Sequence, residues 1–380
     1  MLSYYNNLQK KLIEENQELS RKFIKGFANM MAIEEVEMST TPKEVVYEED
    51  KMKIYHYIPM VKKPHSIPVL VVYALVNRQY MLDIQEDRST IKNWLEAGLD
   101  VYVVDWGYPD HTDKFLTMED YIEGYIHNAV NFVRKRHNLE KINLLGICQG
   151  GTMSMIYTAL HPENIQNLVT MVTPFDFHTK DGLLMVWGKH LNIDNIVDVF
   201  GTVPGSFMNY GFNLLKPFQL NLDKYINFVE SMDDPEAVKD FIRMEKWIYD
   251  SPDQAGEMLR EFITEFYKEN KLVKGTFELA GKKVDMKNIT MPFLSVVGTY
   301  DHLVPPSATK PMMEAVGSTD KTFLEFKTGH IGIFVSSKSQ KEVAPAITNW
   351  IKERGGETPK KKTTTRKTTA KKTTTTAKDK

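Results

Sequence analysis

Residues 142–160 read INLLGICQGGTMSMIYTAL. The run INLL has no polar alternation, which predicts a strand buried on both faces of a parallel sheet. TMSMIYTAL reads as a helix. Between them lies Gly146-Ile147-Cys148-Gln149-Gly150-Gly151. This is the G-x-S-x-G pattern of a sharp strand-to-helix turn that presents a nucleophile, with cysteine in place of serine. The glycines answer a steric demand: the turn is tight and neighbouring segments approach its backbone closely. The turn lifts the sulfur out of the sheet, and the helix N-terminus beneath it favours a thiolate. A lone cysteine is more often a small buried apolar residue. The strand–turn–helix setting instead makes Cys148 the candidate nucleophile.

Working outward, similar apolar runs occupy Ile67–Val76, Val101–Trp106 and Leu168–Thr173, with two more at Phe293–Gly298 and Thr322–Phe326. Helical patterns at Ser89–Ala97, Met118–His137, Gly151–Leu160 and Ser307–Val316 separate most of them. Strand and helix in alternation predict an α/β layer fold, mostly parallel, with right-handed crossovers. Val45–Pro59 reads as extended chain or a hairpin. The stretch 177–288 breaks the rhythm. It is mostly helical in pattern and rich in Phe, Tyr, Trp and Met, as a cap inserted over the carboxyl ends of the strands would be; further core helices are the alternative.

A thiolate nucleophile needs a base that a third group orients. The chain order nucleophile, acid, histidine is met by two late segments. The run Phe293–Gly298 leads into Thr299-Tyr300-Asp301, and Thr322–Phe326 leads into Gly329-His330-Ile331-Gly332. Asp301 is therefore the expected acid and His330 the expected base, with Asp176 in reserve. His302 is expected to support the site from beside it, and Asp105 to be structural. An oxyanion hole is expected from the backbone N–H groups of Gln149 and Val76, the latter in the loop Ala74-Leu75-Val76-Asn77-Arg78. Asn77 is a further supporting candidate. No metal ligand and no bound cofactor are expected.

Sulfur at the elbow suits acyl transfer from a thioester, because thiol–thioester exchange is nearly balanced in energy. ALVNRQYMLDIQ (74–85), VYVVDWGYPD (101–110), GICQGG, VGTYDHLVPP (297–306) and GHIG (329–332) together make the chain resemble the catalytic subunits of polyhydroxyalkanoate synthases, of the short two-subunit type. The resemblance spans most of residues 40–352. It implies an α/β-hydrolase fold and (R)-3-hydroxyacyl-CoA substrates, with 3-hydroxybutyryl-CoA foremost. It also implies a covalent acyl-cysteine on Cys148, coenzyme A as leaving group, and a non-catalytic second subunit in a homo- or hetero-oligomer. The setting it implies is cytoplasmic, at the surface of polymer granules. A thioesterase or depolymerase-type hydrolase with the same three residues is the competing reading.

The two ends read differently from the body. Residues 1–40 begin with an amphipathic helical pattern in which Tyr5, Leu8, Leu12, Leu19, Phe23, Phe27 and Met30 recur at three- and four-residue spacing. Packing on the chain's own body and docking to a partner or an apolar surface both fit. Residues 41–354 form the catalytic domain, and 355–380 a Thr/Lys-rich tail of low complexity, expected to be disordered. From Pro359 onward the tail carries a charge of +8, so a chain of formal charge -2 has a body near -10. A solubilising role and contact with nucleic acid or another anionic surface are both open to it. A single cysteine allows no intrachain disulfide, which fits a reducing compartment. No segment approaches the roughly 20 apolar residues of a membrane span.

Overall fold

The structure, a computed structural model, describes residues 2–355. The basic tail from 356 onward lies outside the described residues.

An eight-stranded sheet forms the centre. Its strands are β1 (Lys43–Glu49), β2 (Met52–Tyr57), β3 (Val69–Val72), β4 (Val101–Asp105), β5 (Ile142–Ile147), β6 (Ile165–Met171), β7 (Phe293–Gly298) and β8 (Lys321–Phe326). The order across the sheet is β1-β2-β4-β3-β5-β6-β7-β8. β1 and β2 form an antiparallel hairpin, β2 joins β4 antiparallel, and every pairing from β4 to β8 is parallel. Residues of β3, β4, β5 and β7 are buried without exception, because helices cover both faces. One apolar core lies on each face: Val72, Leu144 and Ile156 belong to the first, and Val71, Leu145 and Trp94 to the second.

Two sequence expectations are corrected in extent. The run Ile67–Val76 is a strand only from Val69 to Val72, since the chain leaves the sheet at Tyr73 to begin a loop. The expected helix Ser307–Val316 is broken into Pro306–Thr309 and Met312–Ala315. Pro311 between them has no amide proton for the helical ladder.

The helices that matter below are α1 (Leu2–Ala32), α2 (Thr90–Glu96), α3 (His127–His137) and α4 (Gln149–Leu160). A wide-turn segment, Asp120–Ile126, runs straight into α3. Between β6 and β7 the chain forms a helical layer: α5 (Leu183–His190), α6 (Ile193–Phe200), α7 (Gly205–Leu215), α8 (Lys224–Ser231), α9 (Pro235–Tyr249) and α10 (Gly256–Phe262), the last continued by Ile263–Lys268. An aromatic cluster of Phe177, Phe262, Phe266, Tyr267 and Phe277 holds this layer together, with ring centroids 4.8 to 6.3 Å apart. α1 lies against it, with Gly26 in contact with Met232 and Asn29 Nδ2 donating to the Met232 carbonyl at 3.1 Å. Its Leu19, Phe23, Phe27 and Met30 remain exposed. No described helix is long and apolar enough to cross a membrane.

Candidate active site

Cys148 sits between the end of β5 and the start of α4 with φ 53° and ψ -123°, a conformation that L residues rarely adopt. The surroundings enforce it. The Cys148 N–H donates to the Met171 carbonyl at 2.9 Å, which ties the elbow to β6. The glycines answer close approach: a Cβ on Gly150 would lie 2.3 Å from the Val72 carbonyl oxygen, and one on Gly151 would lie 1.9 Å from Thr173 Oγ1. Strain gathers around this turn. Val172, a β-branched residue just past β6, also has positive φ at 45°.

Asp301 and His330 come from the loops after β7 and β8. Parallel pairing of these strands puts both loops at the same end of the sheet, and Tyr300 N–H donates to the Thr328 carbonyl to join them. The His330 Nδ1–H donates to Asp301 Oδ2 at 2.6 Å. Asp301 Oδ1 accepts from the N–H groups of Leu303 and Val304, each at 2.9 Å, so the carboxylate cannot rotate freely. With Nδ1 committed to Asp301, Nε2 is the nitrogen left to face Cys148. Burial alone would lower the His330 pKa, but the Asp301 carboxylate first, and then the nearby Cys148 sulfur, outweigh it and raise it to about 10. The imidazole is therefore strongly basic while the sulfur beside it is free.

Three residues widely separated in sequence thus meet in one place. The other candidates fall as follows. Gln149 Oε1 accepts from the Leu75 N–H at 3.2 Å and pins the loop after β3 beside the elbow. Among the described residues, neither the Gln149 nor the Val76 N–H has a hydrogen-bond acceptor. Asn77 is directed elsewhere: its Nδ2 donates to Ser251 Oγ at 2.6 Å, linking the loop to the helical layer. His302 neighbours Asp301 and His330. Burial, then Lys216, lowers its pKa. Asp176 accepts from Asn270 and from its own turn at His178, and makes no bond to His330. Asp105 accepts from Arg78 Nη2 at 2.8 Å in a buried pair.

Two buried tyrosines absent from the sequence reading also feel the charge at Cys148. Burial, then the charge on Cys148, raises the pKa of Tyr73 and Tyr267 well above the ordinary phenol range. Tyr73 directly follows β3, and Tyr267 follows α10 in the helical layer. The position of Tyr73 at a strand end was a usable signal; nothing in the local sequence marks Tyr267.

An α/β-hydrolase-fold family model matches residues 67–337, and the topology agrees: this is an α/β-hydrolase-fold protein with a cysteine at the elbow. A monoacylglycerol lipase from Paleococcus ferrophilus shares the fold, with a TM-score of 0.51 at 19% identity over 77% of this chain and 96% of that one. A second family model, for the N-terminus of poly-beta-hydroxybutyrate polymerase (PhaC), matches residues 5–95. The poly(3-hydroxyalkanoate) polymerase subunit PhaC of Allochromatium vinosum is 51% identical over 90% of this chain and 98% of its own length. That of a Synechocystis strain is 45% identical over 90% and 93%. The chain belongs to the poly(3-hydroxyalkanoate) polymerase family, whose members are acyltransferases.

Proposed function

We propose that this chain polymerises hydroxyacyl units from a hydroxyacyl-CoA thioester, such as 3-hydroxybutyryl-CoA, through a covalent acyl-cysteine on Cys148. The observation that carries the reading is a fixed carboxylate bonded to an imidazole at 2.6 Å, with the strained elbow that bears Cys148 as the nearby anion that raises the proton affinity of that imidazole.

The Cys148 thiolate attacks the thioester carbonyl carbon. Charge developing on the carbonyl oxygen is met by the unengaged N–H groups of Gln149 and Val76. Collapse expels the CoA thiolate, which takes the proton held on His330 Nε2, and leaves the acyl group on sulfur. Acylation removes the negative charge from Cys148. His330 then loses one of the two anions that raised its pKa, and its proton affinity falls toward the working range. It becomes a base suited to the next step: it takes the proton from the hydroxyl of the acyl unit held on Cys148, and the hydroxyl oxygen attacks the thioester carbonyl of an incoming hydroxyacyl-CoA. One ester bond forms, the incoming thioester bond breaks, the departing CoA thiolate takes the proton back from His330, and the chain held on sulfur grows by one unit. Asp301 holds the tautomer throughout. No cofactor is required, since coenzyme A enters and leaves with substrate.

The partners of this reading are a non-catalytic second subunit and the granule surface, with assembly into an oligomer. The exposed apolar side of α1 is its contact surface, supported by Leu19, Phe23 and Phe27 at 50, 54 and 56% exposure. The basic tail supplies an anionic contact.

The direct test incubates the full chain, with and without candidate second subunits, with 3-hydroxybutyryl-CoA while following free CoA and insoluble polyester. Cys148→Ala is expected to abolish both. Polyester formed at the normal rate by that variant refutes the covalent mechanism. Monomeric acid as the sole product of the unaltered chain identifies a hydrolase instead.

A further inference from the structure

α4 begins just after Cys148 and ends twelve residues later at Leu160, about 18 Å away along its axis. At that far end, a second cluster of reactive side chains forms, separate from the site above. Glu123 lies in the wide-turn segment before α3, His127 is the first residue of α3, and His161 caps the C-terminus of α4. One donor atom from each lies within 4.8 Å of the other two.

The cluster does not satisfy itself. His161 Nε2 and Glu123 Oε2 are 2.9 Å apart, so that pair is hydrogen-bonded. Yet Glu123 Oε1 and His127 Nδ1 are both buried with no hydrogen-bond partner among the described residues. Buried polar atoms normally find partners. Two orphans in one three-residue cluster, an acceptor on the carboxylate and a ring nitrogen, point to a shared missing partner. The rings of His127 and His161 lie side by side with centroids 4.8 Å apart. Glu163 adds a second carboxylate to the neighbourhood, its Oε1 3.7 Å from His161 Nδ1.

We propose that Glu123, His127 and His161 form a binding site for a borderline divalent cation of the Zn2+ class, which staples the Asp120–His137 segment to the C-terminal end of α4. Two imidazoles and a carboxylate suit Zn2+, Co2+ or Ni2+, whereas Mg2+ and Ca2+ want oxygen ligands throughout. Zn–N and Zn–O bonds near 2.0–2.1 Å in a tetrahedron place donors ~3.3 Å apart, so on binding the His161–Glu123 pair, now 2.9 Å apart, opens slightly while His127 closes on them by at most about an ångström or two. The carboxylates of Glu123 and Glu163 supply the charge that draws a cation in. Water completes the coordination.

The test uses the metal-free full chain carrying Cys148→Ala, which removes the sulfur of the other site, and titrates it with Zn2+ by calorimetry. One Zn2+ per chain is expected, with a rise in unfolding temperature. Glu123→Gln or His127→Gln is expected to weaken binding by at least about 100-fold, since even residues behind metal ligands contribute 10–100-fold. X-ray absorption of the Zn2+ complex of the unaltered chain is expected to show nitrogen and oxygen neighbours only. Absence of Zn2+ binding, equal affinity in the variants, or a sulfur neighbour in that spectrum overturns the proposal. Should a variant fail to fold, the stoichiometry and spectrum of the unaltered chain still decide it.

Discussion

Asp301→Asn is the substitution whose outcome the geometry determines most completely. Asparagine keeps the shape of aspartate but offers one oxygen and one NH2. The N–H groups of Leu303 and Val304 both point at Oδ1 at 2.9 Å, so the amide oxygen must take that position. Turning the amide over would set a donor against two buried donors and lose both bonds, at about 1–3 kcal/mol each. The NH2 is therefore left facing His330 Nδ1, which must become an acceptor. The ring proton moves to Nε2, where it faces Cys148 and can receive nothing from the sulfur or from a substrate hydroxyl. A wrong tautomer of this kind lowers kcat by about 10⁴-fold in serine proteases, ~5.5 kcal/mol of barrier, and the same magnitude is expected here. The assay is steady-state CoA release from 3-hydroxybutyryl-CoA, with 15N shifts of His330 to report which nitrogen carries the proton. A variant with kcat within tenfold of the unaltered chain, or an Nδ1–H tautomer in its spectrum, would refute the reasoning.

Three further outcomes are expected. Cys148→Ala removes one of the two anions that raise the His330 pKa to about 10, so NMR titration of His330 in that variant is expected to show a lower midpoint; an unchanged midpoint places the sulfur out of contact. The sign for stability follows from the raised value: the contribution of His330 is complete below its ordinary pKa of 6.5 and is lost as pH rises through about 10. Asp105→Ala leaves the buried Arg78 guanidinium without its carboxylate and is expected to cost about 3–5 kcal/mol in denaturant unfolding. A loss below about 1 kcal/mol would show the pair to be dispensable.

How much of this was legible beforehand depends on whether the deciding interactions are local. The elbow was, because strand, tight turn and helix adjoin in sequence and close approach of neighbouring segments demands glycine at 146, 150 and 151. Asp301 and His330 were legible through chain order and through their places just past apolar runs. The break at Pro311 was missed by following apolar spacing while overlooking a residue that cannot donate. Asn77 stands next to the site in sequence, but its side chain is claimed by Ser251, more than 170 residues away.

The sequence by itself determined most element types, the mostly parallel layer architecture and the choice of three candidate side chains, since these follow from hydrophobic period, backbone sterics and chemical type. Only the tertiary structure decided which atoms meet. It set the 2.6 Å bond that fixes the His330 tautomer and the gathering of Glu123, His127 and His161 at the far end of α4. The physical reason is that hydrogen bonds and metal ligation act over a few ångströms, and contacts between remote segments are set by how layers pack, which no local pattern of residues encodes.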